Sequence, residues 1–265
     1  MFDRYNRAIN YLRISVTDRC NLRCTYCMPE DGIRLLDHSD ILSFEEIADF
    51  TRMAVANGIT KVRLTGGEPL VRKNIVELVA MLAAIDGLED LSMTTNGVLL
   101  SKYAADLKKA GLNRINISLD TVNPDDFCQI TRNGDLEKVL EGIEAARNVG
   151  LEPIKINCVL LGQPDEETQK LKQFCEEHGL SLRFIHQMNL KTGEFSTVEG
   201  GEGGNCKKCN RVRLLANGDI KPCLFSDLVY NIRKLGHQEA LKLTLGNKPR
   251  NGTYNQSGEF YNIGG

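Results

Sequence analysis

YLRISVTDRCNLRCTYC, residues 11–27, is the stretch on which the fold turns. Its first six residues alternate, with Leu12, Ile14 and Val16 apolar and Arg13 and Ser15 polar. That is the period of a β-strand with two different faces. Directly behind the strand come Cys20, Cys24 and Cys27. A structural zinc site needs four closed ligands, and the nearest further candidate, His38, lies eleven residues beyond Cys27. Cubane iron–sulfur clusters usually take four cysteines, so three imply one iron left open.

The same reading extends outward along the chain. Strand-like segments at 61–65, 91–95, 114–119, 154–160 and 181–185 follow the first one. Helical patterns at 44–57, 75–85, 101–110, 136–149 and 166–178 lie between them. Gly58, Gly111, Gly150 and Gly179 stand just past four of these helices, where a left-handed cap belongs. Ser43 with Glu46 three residues on forms a capping-box pattern. Six βα-type repeats predict an α/β fold with a parallel sheet. No dinucleotide-binding glycine fingerprint follows the first strand, so the expectation is an incomplete (βα)6 TIM-type barrel. The pattern stops near Met188. Residues 1–187 are expected to form the barrel and 188–265 a small C-terminal iron–sulfur region, entered through the glycine-rich stretch 200–204.

Strands buried on both faces should be apolar throughout. Here one face is polar: Arg13 and Ser15, Lys61, Arg63 and Thr65, Asn116 and Ser118, Lys155 and Asn157. With the apolar face on the helices, this set points inward, and a packed interior would not tolerate unpaired cations. A wet, basic lumen is therefore expected. Arg13, Arg63, Lys155 and Arg183 would suit a polyphosphate there, each charge-assisted hydrogen bond contributing roughly 1.5–3 kcal/mol.

With 42% hydrophobic and 26% charged residues the chain reads as globular, and a net charge of -2 gives no reason to expect nucleic acid or an anionic membrane as partner. The polar first residues and the lack of a long apolar run predict a cytoplasmic protein. In that compartment cysteines suggest metal or catalysis before disulfides. A second triad, Cys206, Cys209 and Cys223, fits either another iron–sulfur cluster or a zinc ribbon completed by His237. Cys128, Cys158 and Cys175 are expected as small buried core residues.

The C-x3-C-x2-C run resembles the signature of the radical S-adenosylmethionine (radical SAM) superfamily. Gly66-Gly67-Glu68-Pro69, Thr94-Thr95-Asn96-Gly97, Ser118 and Asp120 fall at other strand ends, where barrel enzymes keep their chemistry. In that superfamily the open iron binds S-adenosylmethionine, whose reductive cleavage releases a 5′-deoxyadenosyl radical. Cys209-Asn-Arg-Val-Arg213 and the terminal Asn262-Ile-Gly-Gly265 narrow the resemblance to the GTP 3′,8-cyclase family of molybdenum-cofactor biosynthesis.

That resemblance implies conversion of GTP to (8S)-3′,8-cyclo-7,8-dihydroguanosine 5′-triphosphate with two [4Fe-4S] clusters and S-adenosylmethionine. It implies GTP held by Arg13, Arg63, Thr94, Lys155, Arg211 and Arg213, and the cofactor by Tyr26, Gly67, Ser118 and Met188. Arg211, Arg213, Gly264 and Gly265 would act in catalysis. A flavodoxin- or ferredoxin-type reductant, a downstream cyclic pyranopterin monophosphate synthase and a homodimer are the implied partners. The chain departs from the family in a much shorter stretch between Met188 and Cys206, and in His186 and Gln187, where the family tends to have Glu and an aromatic. A radical SAM maturase of peptides and a non-enzymatic iron–sulfur electron carrier stand as alternatives. The first asks for a groove that fits a chain, and the second needs neither the Gly-Gly-Glu-Pro element nor a basic cavity.

Overall fold

The computed structural model describes residues 1–162 and 164–256. Six strands and their connections build the first part: β1 (Tyr11–Ser15), β2 (Lys61–Thr65), β3 (Asp90–Thr95), β4 (Arg114–Ser118), β5 (Lys155–Leu160) and β6 (Ser181–His186). The helices between them are α1 (Phe44–Ala56), α2 (Ile75–Ala83), α3 (Leu100–Lys109), α4 (Pro124–Thr131), α5 (Leu136–Asn148) and α6 (Asp165–Glu177). All six strands run parallel in the order β6-β5-β4-β3-β2-β1, the sequential pairing of a βα barrel that does not close.

The sheet continues past β1. Strand β7 (Arg211–Leu214) joins it in parallel, and β8 (Asp219–Lys221) and β9 (Tyr230–Asn231) follow as antiparallel partners. Helices α7 (Ile232–Leu235) and α8 (His237–Gly246) end the described part. β7 repeats the alternation of β1, with Val212 and Leu214 apolar and Arg211 and Arg213 polar. It is only Arg-Val-Arg-Leu, too short for that alternation to mark a strand by itself, and its place depends on a partner two hundred residues away.

The two faces of the sheet divide as the alternation requires. Leu12, Ile14, Val62, Leu64, Met93, Ile115, Ile117 and Ile156 are almost completely buried in one continuous core with the inner stripes of the helices. Each such Leu or Ile contributes about 1.5–3 kcal/mol by leaving water. Val212, Leu214 and Ile220 belong to the same core, which fixes β7 and β8 to the barrel. A smaller cluster of Leu190, Leu215, Leu224 and Phe225 lies outside it.

Local signals explain the helix ends. Ser43 and Glu46 form the full capping box of α1, and the glycines expected beyond the helices at 58, 111, 150 and 179 all have positive φ. Helix α4, unforeseen between β4 and α5, starts on the Asn123 side chain, which accepts from the Asp125 and Asp126 N–H groups, with Pro124 in its first turn. Phe127 faces inward from it, and Cys128, one position on, turns outward and is exposed, against the expectation of a core residue. Cys158 and Cys175 are buried as expected. His237 packs edge-on against Phe50 of α1 at 5.6 Å.

Replacing Ser43 by Ala removes the Oγ that accepts from the Glu46 N–H, leaves the backbone arm to the Glu46 carboxylate, and should cost about 1 kcal/mol. Urea unfolding of the metal-free protein should show a lower midpoint with an unchanged slope.

Candidate active site

The loop after β1 is held from three sides. Helix α4 offers its last-turn carbonyls, which have no partner within the helix: Thr131 O accepts from the Arg23 N–H at 3.1 Å and Ile130 O from the Thr25 N–H at 2.9 Å. From the left-handed residue that ends α4, the Arg132 guanidinium donates to the Arg23 and Met28 carbonyls at 2.8 and 3.1 Å. Tyr26 then reaches across to the end of β4, its hydroxyl donating to Asp120 Oδ2 at 2.8 Å, while Asp120 Oδ1 accepts from the Val159 N–H at 2.7 Å. Burial pushes the Asp120 carboxyl up to about 6, against the pull of those two donors.

The glycine pair after β2 closes on the same loop. Gly67 N–H donates to Thr17 O at 2.7 Å, and the Glu68 N–H to Arg19 O at 2.8 Å. A Cβ on Gly67 would stand 2.3 Å from Arg19 O, so only glycine allows this approach. Glu68 is buried and accepts from the Leu70 N–H, the Thr95 hydroxyl and the Asn96 N–H at 3.0, 2.7 and 2.7 Å. Asn96 in turn donates to Asn21 Oδ1 at 2.8 Å and approaches Cys20 Sγ at 3.9 Å. The ends of β1, β2 and β3 are thereby tied into one rim.

Inside that rim lies a cavity of about 210 Å³ lined by Cys20, Cys24, Cys27, Tyr26, Gly67, Thr94, Ser118 and Met188, among others. The structure thus brings the four expected cofactor residues to the first cysteine triad. Burial pushes Cys24 and Cys27 up to about 12; Cys27, Asp120 and Cys20 add to it at Cys24, and Cys20 at Cys27. A bound iron core would supply the positive charge that lets these three crowded thiols ionise. Among the described residues no three His, Cys, Asp or Glu side chains converge on a single ion. A cubane does not require this, since its thiolates bind separate irons.

Below the cavity the lumen is basic. The register places Arg213 beside Arg13 and Arg13 beside Arg63 on neighbouring strands, with Arg211 beside Tyr11. Arg13, Arg63 and Arg213 are each below 10% exposed. The Nε atoms of Arg13, Arg211 and Arg213 are buried without a partner, as are Thr94 Oγ1, Tyr11 Oη and both amide atoms of Asn116. Burial lowers Arg13 to about 9; Tyr11 opposes that shift, and Arg213, Arg63 and Arg211 deepen it. Lys155 is lowered too, by burial and then by Arg183, Arg114 and Arg63. Tyr11 shares the parity of Arg13 and Ser15 on β1, a signal that marks it as a lumen residue although it was not counted as one.

The second triad sits at the other end of the strands. Cys209 is two residues before Arg211, which pairs with Tyr11 at the start of β1, whereas Cys20 lies beyond the end of β1. β7 and β8 are antiparallel, so Cys223 returns to the level of Arg211. The lumen cations lie between the two triads. Behind the second one are two buried cations that sequence reasoning missed. Arg7 donates to Cys206 O at 2.8 Å and pairs with Asp3 at 2.6 Å. Lys248 donates to Arg211 O at 2.8 Å and to Pro222 O. Burial opposes the Cys209 thiolate, yet Lys248, the Arg211 N–H, Arg211 and Arg213 together draw its thiol below the ordinary range. Gly264 and Gly265 lie outside the described residues.

An open parallel barrel that gathers a cysteine loop and a glycine pair at its strand ends has known counterparts. The profile of the Radical SAM superfamily matches residues 14–175, and that class uses S-adenosylmethionine with an iron–sulfur cluster. Crystal structures of SuiB from Streptococcus suis (TM-score 0.69, 17% identity, 92% of this chain and 67% of that one) and of anSMEcpe with bound AdoMet (TM-score 0.66, 15%, 91% and 81%) share the fold.

The chain belongs to the GTP 3′,8-cyclase family of that superfamily. It is 43% identical to the GTP 3′,8-cyclase of Alkaliphilus oremlandii (strain OhILAs) over 86% of this chain and 84% of the relative. It is 40% identical to that of Listeria welshimeri serovar 6b over 94% and 91%. The first alignment runs over 270 positions, more than the part of this chain it uses, so the relative carries residues that this chain lacks.

Because the Cβ of an alanine at 67 would collide with the Arg19 carbonyl, Gly67→Ala should weaken S-adenosylmethionine binding at least about tenfold. Equilibrium dialysis on the reconstituted protein measures this, with Ser43→Ala as the unaffected control.

Proposed function

We propose that this enzyme converts GTP to (8S)-3′,8-cyclo-7,8-dihydroguanosine 5′-triphosphate. The observation that carries this reading is the buried in-register row Arg213, Arg13 and Arg63, in which the Nε donors of Arg213 and Arg13 have no partner. A triphosphate supplies the acceptors and negative charge that such a row lacks. When bound to the cluster, S-adenosylmethionine supplies a 5′-deoxyadenosyl radical on reduction, the chemistry that removes hydrogen from ribose C3′ and lets that carbon close onto guanine C8.

The residues of the chain do the rest. Cys20, Cys24 and Cys27 hold the cluster, and Tyr26, Gly67, Ser118 and Met188 hold the cofactor at the rim. Arg13, Arg63, Thr94, Lys155, Arg211 and Arg213 hold GTP in the lumen. Cys206, Cys209 and Cys223 carry a second [4Fe-4S] cluster at the opposite end, beside the base. Gly264 and Gly265 of the tail, together with Arg211 and Arg213, act on the reacting nucleotide. In this reading residues 1–187 are the radical-generating barrel and 188–265 the region of the second cluster.

Reductive cleavage needs a low-potential one-electron donor, for which a flavodoxin or ferredoxin is suited. The cyclised product passes to a cyclic pyranopterin monophosphate synthase. No helix among the described residues is long and apolar enough to cross a membrane, and oxygen-labile clusters suit a reducing cytoplasm, where the enzyme would work as a homodimer. A peptide substrate would leave the guanidinium row without counter-charge, which disfavours a maturase.

The test is anaerobic reconstitution with reductant, S-adenosylmethionine and GTP, followed by mass spectrometry. GTP-dependent 5′-deoxyadenosine and a cyclised isomer of GTP are expected. Arg213→Ala should lower kcat/KM by the worth of a charge-assisted bond, about 1.5–3 kcal/mol or roughly 10- to 150-fold. Deoxyadenosine formed equally without GTP, and no cyclised product, would remove GTP as the substrate.

A further inference from the structure

Lys248 is the most unusual charge outside the lumen. It is 1% exposed. Among the described residues it pairs with no carboxylate, and its ammonium donates to two main-chain carbonyls, Arg211 O at 2.8 Å and Pro222 O. Those carbonyls stand two residues after Cys209 and one before Cys223. An isolated ammonium in a dry interior is costly unless fixed negative charge lies close. Burial works against the charge of Lys248; Cys209 and Cys223 favour it, while Arg213 and Arg7 oppose it. Arg7 completes the arrangement, donating to the carbonyls of Cys206, Pro249 and Arg250, so that it binds the third cysteine to the segment carrying Lys248.

We propose that Lys248 is the built-in counter-cation and clamp of the second cysteine triad. Its hydrogen bonds hold the Cys209 and Cys223 segments side by side, and its fixed charge raises the reduction potential of the cluster they carry. The inference rests on the reading of that triad as an iron–sulfur site. A positive charge held close to a cluster favours the reduced, more negative state. Solvent cannot take over this role, because the ammonium is sealed from water. Lys248 is a positioning residue: its two hydrogen bonds go to carbonyls, and none reaches the lumen.

The full chain carrying Cys20→Ser, Cys24→Ser and Cys27→Ser isolates the second site for iron analysis and potentiometric electron paramagnetic resonance. In this background Lys248→Gln, which keeps N–H donors without charge, should retain iron and shift the potential to more negative values. Lys248→Met, which loses both, should also lose iron, and Lys248→Arg should restore both properties. Should Lys248→Met fail to fold, the Gln and Arg variants carry the measurement. Unchanged potential in Lys248→Gln overturns the charge assignment, and full iron retention in a folded Lys248→Met overturns the clamp. No cluster in the triple-Ser parent would instead sink the second-cluster reading, an outcome distinct from either.

Discussion

Three guanidinium groups in register on adjacent parallel strands are the constraint around which the rest of this protein is arranged. Strands lie about 4.8 Å apart, and at that spacing like charges repel by several kcal/mol per pair at the effective dielectric of a protein. Arg213, Arg13 and Arg63 are also largely withdrawn from water. No folding advantage comes from placing them there. The sheet tolerates the row because its other face is sealed by an apolar core that continues from the first barrel strands through Val212 and Leu214 of β7. Stability is supplied on the outer face and spent on the inner one, the usual relation between a scaffold and its site.

Distance along the strands then separates the chemistry. The first cysteine triad lies beyond the C-terminal ends, where α4, Asp120 and the Gly66–Gly67 pair tie its loop to several strands at once. The second lies at the N-terminal ends, where β7 runs alongside β1 and brings Cys209 near the level of Asn10. Five residues of β1, at about 3.3 Å each, lie between the levels of the two triads. Barrel geometry thus fixes both triads at opposite ends of the lumen without any single loop having to span them.

The sequence revealed what is periodic or contiguous. Alternation along 11–16 and 61–65 showed which face of each strand is polar, and Arg13 and Arg63 were legible as lumen cations for that reason. Helix ends were legible because Ser43, Glu46 and the following glycines act locally. What was not legible depends on contacts distant in the chain. The parallel pairing of Arg211 with Tyr11 cannot be inferred from four residues. Helix α4 was hidden because its eight residues interrupt a βα repeat. Lys248 looks like any loop lysine in Gly-Asn-Lys-Pro until the carbonyls of Arg211 and Pro222 are brought to it. The first triad needed no tertiary information, since its three ligands share one loop.

The crossing from β6 to β7 is where this chain is economical. These strands are not neighbours: β6 ends the sheet and β7 lies on the far side of β1, so residues 187–210 must bridge the open side of the barrel. They first pack against the C-terminal segments, where Leu190 joins Leu215, Leu224 and Phe225 and its carbonyl accepts from the Asn255 N–H at 2.8 Å, and then return to the β6 edge, where Phe184 and Glu199 exchange backbone hydrogen bonds at 3.2 and 3.0 Å. They then turn through the glycine-rich stretch. A Cβ on Gly200 would lie 2.7 Å from Leu182 O, and one on Gly204 2.0 Å from Ser196 O. A longer bridge could make the same passage over a wider arc with ordinary residues. Here the bridge is kept short by close backbone contact, and Arg211 is caught at its end by the Glu202 carbonyl at 3.2 Å. Through these close glycine contacts the bridge delivers Cys206, Cys209 and the Arg-x-Arg strand to the end of the lumen opposite Cys20.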